Sequence, residues 1–500
     1  MPVFSCSVRF PIRRLRPALL ALCLATGAVL PACAAAPVPH KAHAGALLPP
    51  AVEAALNRAQ VPREALSAVV MEVDGRAAPR LALQPDAPLN PASVMKLVTT
   101  YAALDMLGPS FTWQTPVYLD AQPQGGTLRG NVYVQGQGDP QLVVERLWLL
   151  LRRLRAQGVS VILGDIVLDR SAFDSAPHDA AQFDGEPWRP YNAAPDALLV
   201  NYKTLTLTFL PDATAGVARI SHEPPLAHVE LPASVPLAPA GSACGDWRAG
   251  LRAQLQDAAR ITLQGSYPAA CGERQWPIAP ADPPGFAARA IEGMWRELGG
   301  SLTGRVRDGQ VPAGLVPAFS VASPPLAEVV RDINKYSNNV MTQQLFLTLA
   351  LQRQGRGSFD AARALLTRWW DERVKAGGPL MMDNGAGLSR DARLSAGGLA
   401  RMLQHAWASP VMPELMSSLP ITGVDGTLRR RPGQASGSAH LKTGTLRDVT
   451  ALAGYVLGAS GRRWVVVAIV NHPQAPAARP ALDALVDWVQ DDRRASVPRE

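Results

Sequence analysis

The sequence predicts an α+β multidomain chain, an antiparallel sheet flanked by helices and split by a large, mostly-β insertion. Three observations carry this. The chain has 500 residues, 47% hydrophobic and 18% charged, too many for one ordinary core and apolar enough to fill two or three. Helical apolar spacing occurs early (Leu97, Val98, Ala102, Ala103, Met106, Leu107) and returns at Leu326, Val329, Val330 and Ile333, while the stretch between reads mainly as short strands punctuated by Gly and Pro. Three strand-like runs near the end (Ala439 to Thr443, Val449 to Leu457, Trp464 to Val470) supply an antiparallel sheet. The stretch separating the two helical parts is too long for a loop, so it reads as an inserted domain or two.

Arg9, Arg13, Arg14 and Arg16 precede an apolar run from Pro17 to Leu30 and the small residues Ala32-Cys33-Ala34-Ala35. This is the layout of a secretory signal with an A-x-A cleavage site. Residues 1–34 are read as the signal, cleaved near Ala34; a lipoprotein-type signal with Cys33 lipidated is the alternative, and Pro31 fits it poorly. The net charge of +8 includes those four arginines and no acid among them, leaving about +4, a balance that does not point to nucleic acid. No other apolar run has the length of a membrane span, so no integral membrane anchor is expected. Cys6, Cys23 and Cys33 leave with the signal. Cys244 and Cys271 remain, and two cysteines in an exported chain invite one disulfide, two buried free thiols being the other reading.

In chain order, Ala51 to Ala59 reads as a helix, and Ala68 to Val73 with Arg80 to Leu83 as strands around an Asp74-Gly75 turn. The helix after Ser93 stops at Gly108-Pro109. Strands follow at Trp113 to Leu119 and Leu128 to Val134, a helix at Leu142 to Ala156, and a strand at Val159 to Leu168 leading into the polar loop Asp169 to Asp174. Pro-rich turns around Trp188 to Pro195 precede strands at Ala197 to Leu210 and Gly216 to His222. Pro224 to Pro284 is dense in Pro, Ala and Gly and holds both remaining cysteines, a loop-rich unit that a disulfide would staple. Helices are expected at Gly285 to Leu298, from Leu326, at Val340 to Leu351, Phe359 to Val374 and Ala478 to Val489. The domain reading is therefore 35–110 with 323–500 as one unit and 111–322 as the insertion, its inner loop-rich part at about 190–275.

Three motifs carry chemistry. In Ser93-Val94-Met95-Lys96 the hydroxyl and amine share one helix face, a nucleophile beside a possible base. On its own this spacing is more often an ordinary polar helix face. Lysine is nonetheless the rare cation here: only Lys41, Lys96, Lys203, Lys335, Lys375 and Lys442 occur among 49 basic residues, and unlike arginine a buried lysine can give up its proton. Ser337-Asn338-Asn339 sits in a polar break between apolar helices, where a single such motif is more often a helix cap. Lys442-Thr443-Gly444-Thr445 ends a strand, its cation and hydroxyls suited to a carboxylate and its glycine to close approach by a bound chain. A peptide could add to this edge as an extra strand. Lys203-Thr204-Leu205 lacks the glycine and reads as strand.

The order Ser-x-x-Lys, Ser-x-Asn, Lys-Thr-Gly is that of serine β-lactamases and penicillin-binding proteins. The chain resembles the D-alanyl-D-alanine carboxypeptidase/endopeptidases of the penicillin-binding protein 4 type over nearly all its length after the signal. Gly138-Asp139-Pro140, Gly164 to Arg170, Tyr191-Asn192-Ala193 and Gly387-Leu388-Ser389-Arg390 add to the likeness. The resemblance implies a β-lactamase/transpeptidase-like domain carrying two inserted domains, in a periplasmic serine peptidase. Ser93 would be the nucleophile and Lys96 the general base. Ser337 would relay a proton, Asn339 would bind the substrate's amide carbonyl, and Lys442 and Thr443 would hold the terminal carboxylate. The backbone amides of Ser93 and Thr445 would form the oxyanion hole, beside Gly444. Asp169, Phe173 and Arg390 resemble segments contacting the stem-peptide side chain, although a surface aspartate or structural arginine would look the same. Peptidoglycan stem peptides are the implied partners and β-lactams the covalent inhibitors, with an oligomer left open. No metal or organic cofactor is needed. The chain departs from the family pattern at Asp383-Asn384-Gly385-Ala386-Gly387, beside the cleft.

Two other readings compete. A class A β-lactamase needs a deacylating glutamate, usually E-x-x-x-N, and Glu372 and Glu414 are followed four residues on by Ala376 and Ser418. A non-catalytic peptidoglycan-binding or β-lactam-sensing protein would keep the fold without turnover, but binding alone requires no lysine of altered pKa.

Overall fold

Alternation along the strand Arg463–Asn471 sets the layering. Trp464, Val466, Ala468 and Val470 enter one core with the helices Pro50–Arg58 and Arg479–Gln490; Val465, Val467 and Ile469 enter a second with the remaining helices. Successive side chains of a strand point to opposite faces, so a strand apolar throughout must be covered on both. The computed structural model describes residues 47–174, 178–375 and 378–493. The signal segment, with Cys33, lies outside the described residues. No helix among the described residues is long and apolar enough to cross a membrane.

The sheet has five antiparallel strands in the order Ala439–Leu446, Val449–Leu457, Arg463–Asn471, Leu66–Glu72, Leu81–Leu83. The strand carrying Lys442 is therefore at an edge. Beneath the second face runs the helix Lys96–Leu107, buried at every position from Lys96 to Leu104, as expected of a helix apolar on all sides. Leu326–Tyr336, Asn339–Gln354, Phe359–Arg373, Ala396–Trp407 and Met412–Ser418 complete this layer. The helix Ala396–Trp407 has no counterpart in the sequence reading, and it contains Gly397-Gly398. Gly397 faces the Pro85 carbonyl, which a Cβ there would approach to 2.9 Å, so tight packing requires the residue that lowers helix propensity.

Between Leu107 and Leu326 the chain builds other sheets. A mixed sheet runs in the order Val306–Asp308, Ile166–Asp169, Val132–Gln135, Gln114–Leu119, Phe319–Ala322, and shares its core with the helices Val144–Ala156 and Phe286–Glu297. An antiparallel sheet runs Ser234–Pro236, Val217–Glu223, Leu205–Asp212, Arg274–Ile278 over a separate core. There Cys244 and Cys271 are joined as a disulfide.

Three expected strands are broken or shortened. The run from Val159 to Leu168 splits into Val161–Ile162 and Ile166–Asp169, in different sheets. The break falls at Gly164-Asp165, where a Cβ on Gly164 would meet the Gly130 carbonyl at 2.5 Å and Asp165 accepts from the Arg305 amide at 3.0 Å. The run from Ala197 becomes a strand only at Leu205, since Asn201, Tyr202 and Lys203 adopt positive φ of 44°, 57° and 50°. Leu128 to Val134 likewise splits at Gly130 into Thr127–Leu128 and Val132–Gln135.

Candidate active site

Ser93 lies in the short 3₁₀ turn Ala92–Met95 that feeds the helix beginning at Lys96. The turn is tied down before it is functional. Asn90 accepts from the Ala92 amide at 2.9 Å, donates to the Ser389 carbonyl at 2.9 Å, and its own amide donates to Asn471 at 2.8 Å. Ala92 holds a positive φ of 48°, a conformation that costs an alanine on the order of 1 kcal/mol. It is pressed between two glycines. A Cβ on Gly444 would come within 2.5 Å of the Pro91 carbonyl and 3.1 Å of the Ala92 Cβ, and one on Gly387 would overlap the Ala92 carbonyl. Gly444 thus faces the serine turn, which corrects the expectation that it clears space for a bound chain.

Lys96 is fully buried. Its Nζ is 3.0 Å from Ser93 Oγ, 2.6 Å from Asn339 Oδ1 and 2.6 Å from the Ala386 carbonyl. Burial, with Lys442 as the second cause, holds this amine well below its usual pKa. A neutral amine has two hydrogens and one lone pair. In that form the two carbonyl oxygens would accept the hydrogens and leave the lone pair to the Ser93 hydroxyl.

Lys442, also fully buried, is pushed down to about 7 by burial. It donates to Ser337 Oγ at 2.8 Å and to the Thr443 carbonyl at 2.8 Å. Ser337 ends the helix Leu326–Tyr336 in the left-handed conformation, φ 57° and ψ 38°, aiming its hydroxyl at Lys442. The cap reading of this motif also holds for one residue: Asn338 accepts from the Met341 amide at 3.0 Å and starts the next helix. Thr443 Oγ1 lies 2.9 Å from Thr427 Oγ1, and Thr445 is exposed on the same edge strand.

The structure thus links Ser93, Lys96 and Asn339 in one set of contacts and Lys442, Ser337 and Thr443 in another, the first bound to the second through the pressed turn at Ala92 and Gly444. Two further predicted residues stand elsewhere. Asp169 is buried, and its carboxylate accepts from the Ser171 amide at 2.9 Å and the Val311 amide at 3.0 Å; it closes a loop and does not present its charge to a ligand. Phe173 is buried with Ala197 and Leu347 against Gly138 and Gly357, a core wedge. Arg390 is half-exposed, pairs with Asp448 at 3.2 Å, lies 4.7 Å over the Phe183 ring and lines a cavity of about 570 Å³.

Sequence reasoning missed two backbone carbonyls. Ala386 O binds Lys96, presented by a loop that Asn384 closes through the Ala386 amide at 3.0 Å and the Leu388 carbonyl at 2.8 Å. Tyr191 O accepts from Asn339 Nδ2 at 3.2 Å. A carbonyl is common to every residue and leaves no sequence signal; the nearest hint was the family likeness at Tyr191-Asn192-Ala193.

A serine hydroxyl 3.0 Å from a buried lysine whose pKa is held well below its usual value, with a second buried lysine beside a serine hydroxyl, is an arrangement suited to serine acyl transfer. Residues 49–491 match the D-Ala-D-Ala carboxypeptidase 3 (S13) family, and the chain belongs to that family of serine-type carboxypeptidases. It is 29% identical over 417 residues to the D-alanyl-D-alanine carboxypeptidase of Actinomadura sp. (strain R39), covering 79% of this chain and 76% of the relative. It is 28% identical over 399 residues to D-alanyl-D-alanine carboxypeptidase DacB of Haemophilus influenzae, covering 76% and 80%. Its fold matches the crystal structure of penicillin binding protein 4 (dacB) from Haemophilus influenzae with a TM-score of 0.68 at 23% identity, over 87% of this chain and 99% of that one. The resemblance to the penicillin-binding protein 4 type is borne out.

Proposed function

We propose that the protein hydrolyses D-alanyl-D-alanine ends, and D-alanyl cross-links, of peptidoglycan in the periplasm through an acyl-enzyme on Ser93. The observation that carries this is the Lys96 amine, buried without a carboxylate partner among the described residues and 3.0 Å from Ser93 Oγ. In acylation the Ser93 oxygen bonds to the D-alanyl carbonyl carbon while its proton passes to Lys96. The carbon–nitrogen bond then breaks, the proton moves through Ser337 to the leaving amine, and D-alanine departs. Water next attacks the ester, the bond to Ser93 breaks, and the serine regains its proton, freeing the shortened peptide.

Each residue has a physical reason for its part. Ser337 accepts from Lys442 and so keeps its own hydrogen free to donate. The backbone amides of Ser93 and Thr445 act as the oxyanion hole, where preorganised donors lower the barrier by several kcal/mol. A substrate carboxylate at Lys442, Thr443 and Thr427 restores the cation that burial disfavours. Asn339 directs one amide hydrogen to Tyr191 and has a second for the substrate carbonyl. Arg390, at the mouth of the 570 Å³ cavity, meets the stem-peptide side chain. A β-lactam places its strained carbonyl where the peptide carbonyl sits and its carboxylate at Lys442, so it acylates the same serine; the Haemophilus influenzae protein has been crystallised with a β-lactam.

Purified protein is expected to release D-alanine from a pentapeptide and to be labelled by fluorescent penicillin, and Ser93→Ala to lose both. Labelling of the wild type without any D-alanine release would favour the β-lactam-sensing reading instead.

A further inference from the structure

We propose that a groove of about 600 Å³ between the loop 186–191 and the strand Arg274–Ile278 binds the glycan of the cell-wall polymer, an N-acetylated amino-sugar chain bearing acidic peptides. The proposal rests on the hydrolytic reading above and adds a second point of contact. Its volume lies within the roughly 300–1,000 Å³ common for ligand sites.

The lining has the chemistry of a sugar site. Trp188 and Trp276 are both partly exposed within it, and an indole left partly wet offers an apolar face with a polar edge, suited to the C–H face of a pyranose. The Trp276 ring is held edge-on by Trp247, centroids 5.9 Å apart at 84°. Trp188 is fixed by its carbonyl, which accepts from the Ala279 amide at 3.0 Å. The Trp276 ring and the backbone that carries Trp188 are therefore in place before any ligand arrives.

The charge favours a ligand carrying carboxylates. Among the described residues Arg248 and Arg252 hold no carboxylate: Arg248 lies 5.1 Å over Trp247, and Arg252 donates to the Gln264 carbonyl at 3.0 Å. The two acids of the groove are engaged, Glu186 with Arg189 at 3.4 Å and Asp246 as the cap of a short helix. Two guanidinium groups are left to face the peptide carboxylates that branch from such a chain.

Position links the groove to the chemistry. Tyr191 is 42% exposed and lines it, and the same residue's carbonyl binds Asn339, which binds Lys96. Tyr191 thus belongs both to the groove wall and, through its carbonyl, to the contacts that reach Lys96, so a polymer seated there keeps its attached peptides near the serine.

The test uses full-length Ser93→Ala protein titrated calorimetrically with a peptide-free tetramer of N-acetylglucosamine and, separately, with a disaccharide bearing a stem peptide. Both should bind, and Trp276→Ala should weaken both at least tenfold. Arg248→Glu, a surface change with an unaltered melting temperature, should weaken only the peptide-bearing ligand, about threefold to fivefold. In the active enzyme, Trp276→Ala should slow digestion of intact sacculi at least fivefold while release of D-alanine from a soluble pentapeptide stays within twofold. Absence of tetramer binding, or equal binding by Trp276→Ala, overturns the groove even if D-alanine is released. Tetramer binding without D-alanine release upholds the groove and overturns the hydrolytic reading.

Discussion

The dipeptide Lys-Thr occurs in both halves of the architecture, and its two settings differ in one respect. Lys203-Thr204 in the insertion and Lys442-Thr443 on the edge strand both bury their lysines. Lys203 lies 3.0 Å from Asp196, which also takes Arg170 at 2.8 Å. Among the described residues Lys442 meets the Ser337 hydroxyl and the Thr443 carbonyl and no carboxylate. Lys335 repeats the first pattern, 2.6 Å from Asp425, and Lys96 the second. Burying an ammonium costs several kcal/mol unless a counter-charge offsets it. Where the carboxylate is present the lysine is a structural cation; where none is found among the described residues, the amine is the one for which a base or carboxylate-binding role is proposed.

The most severe way to break this contrast is to exchange the amine at 96. Lys96→Met should lower kcat/KM for a pentapeptide by about 10³-fold or more, whereas Lys203→Met should leave it within about twofold once the protein is folded. Comparable losses in both would remove the distinction. Lys442→Met should cost about 10²-fold in kcat/KM by removing the carboxylate's partner, and a smaller factor for a substrate whose terminal carboxylate is amidated, which loses only the Lys442 hydrogen bond to Ser337.

Next in size is the close approach at Gly444. A methyl group there meets the Pro91 carbonyl at 2.5 Å, so Gly444→Ala should displace the serine turn and reduce the rate of acylation by penicillin about 10²-fold. At Gly437 nothing lies within 4 Å of the added carbon, but its φ of 76° means Gly437→Ala should cost only about 1 kcal/mol of stability and no acylation rate. Equal acylation by the two variants would show that the turn has room to spare.

Stability sharpens the comparison with opposite signs. The folded pKa of Lys442, about 7, lies below its ordinary 10.5. The cost of charging it inside is therefore fully present below pH 7 and fades as pH rises toward 10.5. Lys442→Met should stabilise the fold by roughly 2 kcal/mol near neutrality, with the gain shrinking in alkali. Lys203→Met should destabilise by about 2 kcal/mol because Asp196 keeps only Arg170. Denaturant titrations at two pH values give both signs, and a loss of stability in both variants would contradict the idea. For the same reason kcat/KM should fall on the acid side as the Lys96–Lys442 pair gains its second proton and on the alkaline side as Lys442 discharges. An amidated substrate should lack the alkaline limb.

The smallest effect on chemistry belongs to the disulfide. Cys244→Ser with Cys271→Ser opens a link spanning 27 residues, which should cost about 3 kcal/mol while D-alanine release from a soluble pentapeptide stays within twofold. A parallel fall in turnover would mean that the stapled region supports the reacting groups directly.

Much of this was readable from the residue order, for a physical reason. The proposed nucleophile, base and carboxylate-binding cation are side chains of restricted type, and their chemistry leaves a mark wherever they stand. The sheet was equally visible, because Val449–Leu457 and Arg463–Asn471 are apolar at nearly every position. What escaped was set by backbone. The carbonyls of Ala386 and Tyr191 could belong to any residue, the strand breaks at Gly130 and Gly164 follow from tertiary contacts, and Gly397 reads as a helix breaker until Pro85 is placed beside it. Asp169 and Phe173 show the reverse error, polar or aromatic residues near a loop that the interior had already claimed.

The Ala386 carbonyl has one more implication. The proton acceptor owes its state to a segment almost three hundred positions later in the chain, and its cationic neighbour arrives later still, on the strand Ala439–Leu446. On the mechanism proposed above, a growing polypeptide therefore carries Ser93 as an ordinary alcohol. Reactivity on that mechanism begins only once the strand Ala439–Leu446 is laid down against the two strands that follow it, which ties the birth of the enzyme to the completion of its fold.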